Sequence, residues 1–384
     1  MEDNINKVFD FLKNDKFNDA IKSLNNIIIN NQQNIEFYNL RAICYLQLSK
    51  YENAKNDFDK VLSSKPNWPE IYNNLGILYF RSGQNNLAIT NFLKSIEIKK
   101  DYESAIFGLI KSLAYSDDVP KNNSIFITKH NELNNIKISY SENKYIENIT
   151  VENLLNTISR IISDNFINLK FNYTQIYRKT KSDLNCNRHM KVFNTYQAIP
   201  QYCFGCYKVQ IEPENLIDLI KIYLLFDNIK FENLNTQKCM VETRPKIDGS
   251  YKSIVYCYSQ EEAEIIKKRI SKIAKKNLDK EVKLKVKRGC TEYGIKYPEY
   301  NNLNENIMKF KPEWKNYENL IDNNFPHLIE DNNHPPTTKG VTLDDALVIQ
   351  NWLKYAILIG DETCKDIKSH FFKNEYLEKQ LRLR

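Results

Sequence analysis

The 384-residue sequence predicts an α+β protein of several domains. An N-terminal all-α solenoid precedes a cysteine-rich α/β domain of order β-α-β-β-α-β, and a helical C-terminal extension follows. Three observations carry this expectation. Small and aromatic residues recur every 34 positions through the first third of the chain. Between about residues 206 and 288, segments with two-residue alternation enclose two amphipathic or apolar helical segments. All cysteines except Cys44 lie beyond residue 185, and three of them crowd into "CNRHMKVFNTYQAIPQYCFGC" at 186–206.

Composition sets the class. Apolar residues make up 42%, aromatics 12% and charged residues 27%, which suits globular domains with substantial cores. The longest apolar run, "LIDLIKIYLLF" at 216–226, is broken by Asp218 and Lys221. It falls short of the roughly 20 residues a membrane helix needs. The N-terminal stretch carries charges at helical spacing and no apolar secretion core. Eight cysteines in such a chain are expected to be thiols or metal ligands in a reducing cytoplasm.

The period is visible position by position. Ala20, Ala54 and Ala88 fall one repeat apart, as do Phe11, Tyr45 and Tyr79. Leu24, Phe58 and Phe92 follow the same rule, and so do Val8, Ala42 and Gly76. Small residues are needed where paired helices touch, and aromatics fill the space between pairs. The third unit reads Tyr72-x2-Leu75-Gly76-x2-Tyr79, then Ala88-x3-Phe92.

This pattern resembles the tetratricopeptide repeat (TPR) family, with Tyr where the family has Trp. The likeness covers about 1–102, and the first unit is the most degenerate. An amphipathic helix at 102–116 is expected to cap the stack, completing an array over 1–116. The resemblance implies a superhelix whose first helices line a partner-binding groove. Helical spacing nominates Phe9, Leu12, Ile43, Leu46, Ile77 and Phe80 for that groove, with Asn39, Asn73, Lys13 and Arg81 beside them. So apolar a groove suits an amphipathic helix or peptide of a protein partner. The chain's own helix starting near Thr342 is the alternative occupant.

Residues 117–180 read as a linker followed by a helix and strand connection. "SDDVPKNNS" breaks the helical pattern, and "SIFITKH" is expected to be a short strand. A helix capped by Thr150 comes next. The alternation of Ile167, Leu169, Phe171 and Tyr173 then predicts a second strand.

Residues 181–294 form the expected cysteine-rich domain. "CYKVQIE" reads as a strand and "PENLIDLIKIYLLFDNI" as a buried helix. "KCMVETR" and "YKSIVYCYS" read as two strands, about 260–278 as an amphipathic helix, and "EVKLKVKR" as the closing strand. That succession is the split β-α-β arrangement of a ferredoxin-like fold. The extension, 295–384, holds one clear helix at about 343–359, capped by Thr342 with Asp345.

Candidate chemistry rests on the cysteines and on charge. Cys186-x2-His189 and Cys203-x2-Cys206 could together close a four-ligand zinc site. A redox dithiol is a second reading, although the motif leads into a strand rather than a helix. Buried, inert thiols are the third. Cys206, Cys239, Cys257 and Cys290 fall one to a predicted strand, where core packing is the preferred explanation. Cys290 follows Lys287 and Arg288, whose charges would favour a thiolate and make it the candidate catalytic nucleophile.

The segment Lys267–Arg288 holds eleven Lys and Arg against two acids, whereas the whole chain sums to +7. Lys267, Lys268, Lys272, Lys283, Lys285, Lys287 and Arg288 therefore make a basic face. With Tyr251, Tyr256 and Tyr258 nearby, it could bind RNA or a phosphorylated substrate. No P-loop, dinucleotide fingerprint, HExxH or GxSxG motif is present. The leading expectation is a TPR interaction or scaffold protein with an attached, zinc-bearing domain. The alternative is an enzyme or enzyme subunit acting through the basic face and a cysteine or metal centre.

Overall fold

In the computed structural model the described residues are 2–138, 144–162, 166, 169–180, 184–244, 247–330, 335–365 and 367. The 34-residue period becomes six antiparallel helices and a cap. They are α1 (Glu2–Lys13), α2 (Phe17–Asn30), α3 (Ile35–Gln47), α4 (Tyr51–Ser64), α5 (Pro69–Arg81), α6 (Asn85–Ile98) and α7 (Glu103–Leu113). Next come α8 (Ile125–Asn134), α9 (Asn148–Ile162), β1 (Gln175–Arg178) and α10 (Cys186–Tyr196). The sheet region runs β2 (Tyr207–Glu212), α11 (Leu216–Phe226), β3 (Gln237–Val241), β4 (Tyr251–Cys257), α12 (Gln260–Asn277) and β5 (Lys283–Arg288). Last are α13 (Thr291–Lys296), α14 (Trp314–Asn324), α15 (His327–Glu330) and α16 (Leu343–Leu358).

The chain divides into two compact units. One comprises residues 1–120, 184–200 and 310–335; the other comprises 121–183, 201–309 and 336–384. This partition differs from the boundaries expected from sequence, because the 181–294 and 295–384 segments are each shared between units. Side-chain chemistry explains the reassignment of α10 and α14. Arg188 of α10 is 8% exposed and binds Glu318 and Asp322 of α14 at 2.9 and 2.6 Å. Stacking of Tyr196 on Tyr317, with ring centres 4.7 Å apart, adds apolar contact.

In the first unit the repeat positions form the core. Ala20, Ala54 and Ala88 are fully buried, as are Leu24 and Phe58, and Phe92 is 1% exposed. Tight approach is required at two glycines. A Cβ at Gly76 would lie 2.6 Å from the Phe92 ring, and one at Gly108 would lie 2.4 Å from it. The ring thus occupies space that any larger residue at either position would need. Arg41 ties α3 to α2 and α4, binding Asp57 at 2.7 Å through Nε and Asn25 at 2.7 Å through NH1.

The second unit is a five-stranded antiparallel sheet with helices. Strand order is β1-β3-β4-β2-β5, with every neighbouring pair antiparallel. Ile211 of β2 lines a small apolar cavity with Ile222 and Leu225 of α11 and with Ile270 and Ile273 of α12. Those helices therefore cover the face carrying Val209, Ile211 and Val255.

Two expectations in this unit are corrected. "SIFITKH" is not a strand: it opens α8, where Ile127, His130 and Leu133 are buried at helical spacing. Where alternation at 167–173 predicted a strand, the described residues 169–173 are not strand, and 167 and 168 lie outside the described set. The strand is β1, displaced to 175–178. Asn351 donates to the carbonyls of Phe171 and Tyr173, both at 2.9 Å, and Trp352 donates to that of Thr174 at 2.8 Å. These bonds from α16 occupy carbonyls that a ladder would otherwise use. The helix α16 itself starts as expected, with a reciprocal capping box between Thr342 and Asp345.

Candidate functional site

The first helices of the repeat pairs, α1, α3 and α5, present the expected groove positions. Phe9 is 53% exposed, and Leu12, Ile43, Ile77 and Phe80 are partly exposed. Ile43 and Ile77 rest against the core formed by Ala42, Ala54, Phe58 and Ile71. Phe80 is fixed edge-on against Tyr115, with ring centres 5.8 Å apart. Leu46 differs: at 3% exposure it belongs to the core. Its helical phase is right, but the neighbouring repeat covers it.

The polar groove positions carry unmet capacity. Asn39 and Asn73 occupy equivalent places in successive repeats, and Asn73 is only 3% exposed. Both amide oxygens are buried and accept no hydrogen bond among the described residues. A buried acceptor without a donor costs roughly 1–3 kcal/mol. Arg81 reaches back to the C-terminal end of α3, 3.5 Å from the Leu46 carbonyl and from Gln47 Oε1.

The cysteine–histidine stretch is split by the fold. Cys186 and His189 lie on α10, in the unit that holds the repeats, while Cys203 and Cys206 belong to the sheet unit. None of the eight cysteines forms a disulfide. No group of three or more His, Cys, Asp or Glu among the described residues is arranged to hold a metal ion. His189 is buried and Cys186 exposed.

Cys203 sits in a short 3-10 turn and donates to the Tyr293 hydroxyl at 3.7 Å. Tyr300 donates to the Cys203 carbonyl at 2.8 Å. Cys206 accepts at its carbonyl from the Gly289 N–H at 2.9 Å. Cys239 and Cys257 are buried on the helix-covered face, and burial pushes each thiol up to about 12. These two thiols are core packing.

Cys290 is half-buried, and its thiol is raised rather than lowered. Burial is the largest cause, and the opposing cations are Lys208 on β2 and then Lys238 on β3 rather than its sequence neighbours. The expected thiolate is therefore disfavoured, because desolvation outweighs the attraction.

The residues of the expected basic face are divided by the sheet, because β5 turns Lys283, Lys285 and Lys287 away from the side that α12 covers. Lys268 and Lys272 on α12 are exposed, with Lys267 partly so, and Lys283, Lys285 and Lys287 are exposed along the edge strand β5. Arg288 is not part of it. It is 5% exposed, donates to the Phe204 carbonyl and lies over the Tyr207 ring at 4.8 Å. Nor do the tyrosines form a stacking row. Tyr251 and Tyr256 point to opposite faces of β4, and Tyr251 is buried, donating to Asp361 at 2.6 Å.

Sequence reasoning missed the buried charges. Lys208, Lys221 and Lys252 are each at most 5% exposed. So is the acid cluster around Arg178, where Asp227 and Asp345 come from sequence-distant elements. The one available signal was in β2, whose Lys208, Gln210 and Glu212 make a fully polar alternate row.

Comparison with known proteins bears on the first unit. The family model described as tetratricopeptide repeat matches residues 35–67 and 69–102. Heat shock protein STI1 of Saccharomyces cerevisiae is 30% identical over 83 residues, covering 22% of this chain and 14% of that protein. The chain thus spans a small part of that relative's length. Among solved structures, an O-GlcNAc transferase mutant of Thermobaculum terrenum is 16% identical over 46% of this chain and 28% of its own. Its TM-score is 0.29, too low to bear on the fold. None of the helices among the described residues is long and apolar enough to cross a membrane.

Proposed function

Residues 35–102 are tetratricopeptide repeats, and from that premise we propose that the chain is an interaction protein whose array captures an amphipathic helix or apolar peptide of a partner. Repeat arrays of this kind use extended concave surfaces for binding. The observation that carries the reading is the combination on α1, α3 and α5. Exposed Phe9 and partly exposed Ile43, Ile77 and Phe80 offer contiguous apolar contact on the first helices of successive repeats.

The test is selection of a peptide from a display library on the purified chain, followed by titration. Changing Ile43→Asp and Ile77→Asp should weaken the selected peptide by about tenfold or more, since a buried charge replaces apolar contact. Unchanged affinity would remove the groove from consideration. The chain's own α16, the other occupant considered, is packed within the sheet unit, where Leu343–Ala356 are buried.

Three finer readings concern the rest of the chain. The succession β2-α11-β3-β4-α12-β5, with β2 inserted between β4 and β5, favours a ferredoxin-like assignment for that part. Zinc at Cys186, His189, Cys203 and Cys206 rests on their spacing alone; metal analysis beside a Cys203→Ser, Cys206→Ser variant tests it. The alternative of an RNA- or phosphate-directed role is favoured by the exposed lysines along β5. Salt-dependent retention on RNA, lost with Lys283, Lys285 and Lys287 changed to Ser, is its measurement.

A further inference from the structure

The sheet face turned away from α11 and α12 carries lysines in register. Lys287 of β5 stands directly opposite Lys208 of β2, and Lys208 stands opposite Tyr256 of β4. The next row runs Lys285, Gln210, Ile254, Lys238 and Tyr177. Like charges directly opposite destabilise an antiparallel pair. Two lysines of this face are neutralised within it: Lys285 binds Glu212 at 3.0 Å, and Lys252 binds Glu242 at 2.9 Å.

Lys208 and Lys287 are not. The Lys208 ammonium, 5% exposed, donates only to neutral oxygens, the Gly289 carbonyl at 2.7 Å and Thr291 Oγ1 at 3.4 Å. An ammonium has three donors, so one stays unused among the described residues. Lys287 is exposed and makes no hydrogen bond or ion pair among them. The Gly289 carbonyl is held in place, because its N–H is bound to Cys206 and a Cβ there would lie 2.6 Å from the Cys206 sulfur.

The surrounding charges agree with this geometry. Burial, then Lys238, lowers Lys208 to about 8; Cys290 and Glu292 act against that, and Lys287 adds to it. A buried ammonium between two like charges is stabilised by a counter-anion.

We propose that Lys208 and Lys287, with the Thr291 hydroxyl beside them, bind a phosphate-class oxyanion on this face. A tetrahedral dianion matches the pair in charge. It also supplies acceptors for the unused Lys208 donor, the Lys287 ammonium and the Thr291 hydroxyl. The bound group is either free phosphate or the terminal phosphate of an ester. The site stands apart from the repeat array and does not depend on the partner-binding proposal.

The experiment is calorimetric titration of the full chain with inorganic phosphate and, separately, with phenyl phosphate, against chloride at equal ionic strength. The expected result is saturable binding of one anion per chain, weakened about tenfold or more by Lys287→Met, a change at an exposed position. At a pH near that of Lys208 titration, binding should also take up protons, so the heat should vary with buffer ionisation enthalpy. A tighter fit for phenyl phosphate assigns the site to esters, and a tighter fit for phosphate assigns it to the free ion. Absence of saturable binding by both, or binding untouched by Lys287→Met, overturns the proposal.

Discussion

His327 holds the backbone carbonyl of Gln47 through Nδ1 at 2.7 Å, joining the segment after α14 to the C-terminal end of α3. Phe325, two residues earlier, packs against the core of the first repeat, and Lys191 lies over its ring at 4.3 Å. Burial, then Arg81, lowers the imidazole below its ordinary value of 6.5; Lys191 acts in the same direction, while the Gln47 bond and Asp15 oppose it. A histidine depressed in the folded state contributes stability that is complete above its unfolded value. That stability is lost as pH falls below it. The first unit should therefore weaken as pH falls below about 6.5, and His327→Gln should flatten that dependence. Urea midpoints of both proteins across this range check it; parallel curves would show that His327 does not titrate in the transition.

His130 makes the same argument in the sheet unit with a larger shift. It is 1% exposed on α8, and its Nδ1 accepts from the Leu343 N–H at 3.4 Å. Burial pushes it down to about 4, with Asp345 opposing. Forcing a proton onto it between its unfolded and folded values costs roughly 3 kcal/mol. Acid unfolding of this unit should start below about pH 6, and His130→Leu should shift the onset to lower pH. Tryptophan fluorescence of Trp352, fully buried in the same unit, is the readout.

Legibility in the sequence followed physical range. The repeat array was readable because identical contacts recur at a fixed spacing, and Ala54, Phe58, Ala88 and Phe92 are buried as the period required. The β2-to-β5 elements were readable because half of each strand faces α11 and α12, which imposes alternation. Where local pattern and tertiary contact disagreed, tertiary contact won. The β-branched "SIFITKH" became helix because Ile127, His130 and Leu133 are buried at helical spacing. The β1 edge shifted because α16 takes the carbonyls before it. The buried charge at Arg178 left no local trace: it meets Asp227 49 positions away and Asp345 167 positions away. In the candidate groove the apolar positions were legible, whereas the burial of Leu46 and Asn73 depended on neighbouring helices.

Arg178 is the tie whose loss should cost most. Its Nε binds Asp227 at 2.5 Å, NH1 binds Asp345 at 3.1 Å and NH2 donates to the Gly340 carbonyl at 2.9 Å. Its guanidinium also lies over the Tyr223 ring at 4.7 Å. Replacing it with Met leaves two carboxylates buried without their cation, a loss of about 3–5 kcal/mol. A double change, Arg178→Met with Asp227→Asn, should recover part of that loss by removing one uncompensated charge. Chemical denaturation of the three proteins measures it; a double variant no more stable than the single would place the cost in packing rather than charge.

The Phe92 ring fits between Gly76 and Gly108 with no room for a methyl group on either side. Gly76→Ala relieves helix entropy by about 1 kcal/mol, since alanine is the better helix former. The same change places a Cβ 2.6 Å from a ring that is 1% exposed and enclosed by α5, α6 and α7. Overpacking of a core at this closeness costs about 1–3 kcal/mol, so the sum should be destabilising. Shortening the ring resolves which term rules. Phe92→Leu alone should destabilise by leaving a void, whereas Gly76→Ala with Phe92→Leu should be more stable than the two separate losses add up to. Thermal unfolding of this four-protein cycle gives the coupling, and strict additivity would mean that the Gly76 Cβ and the ring do not compete for space.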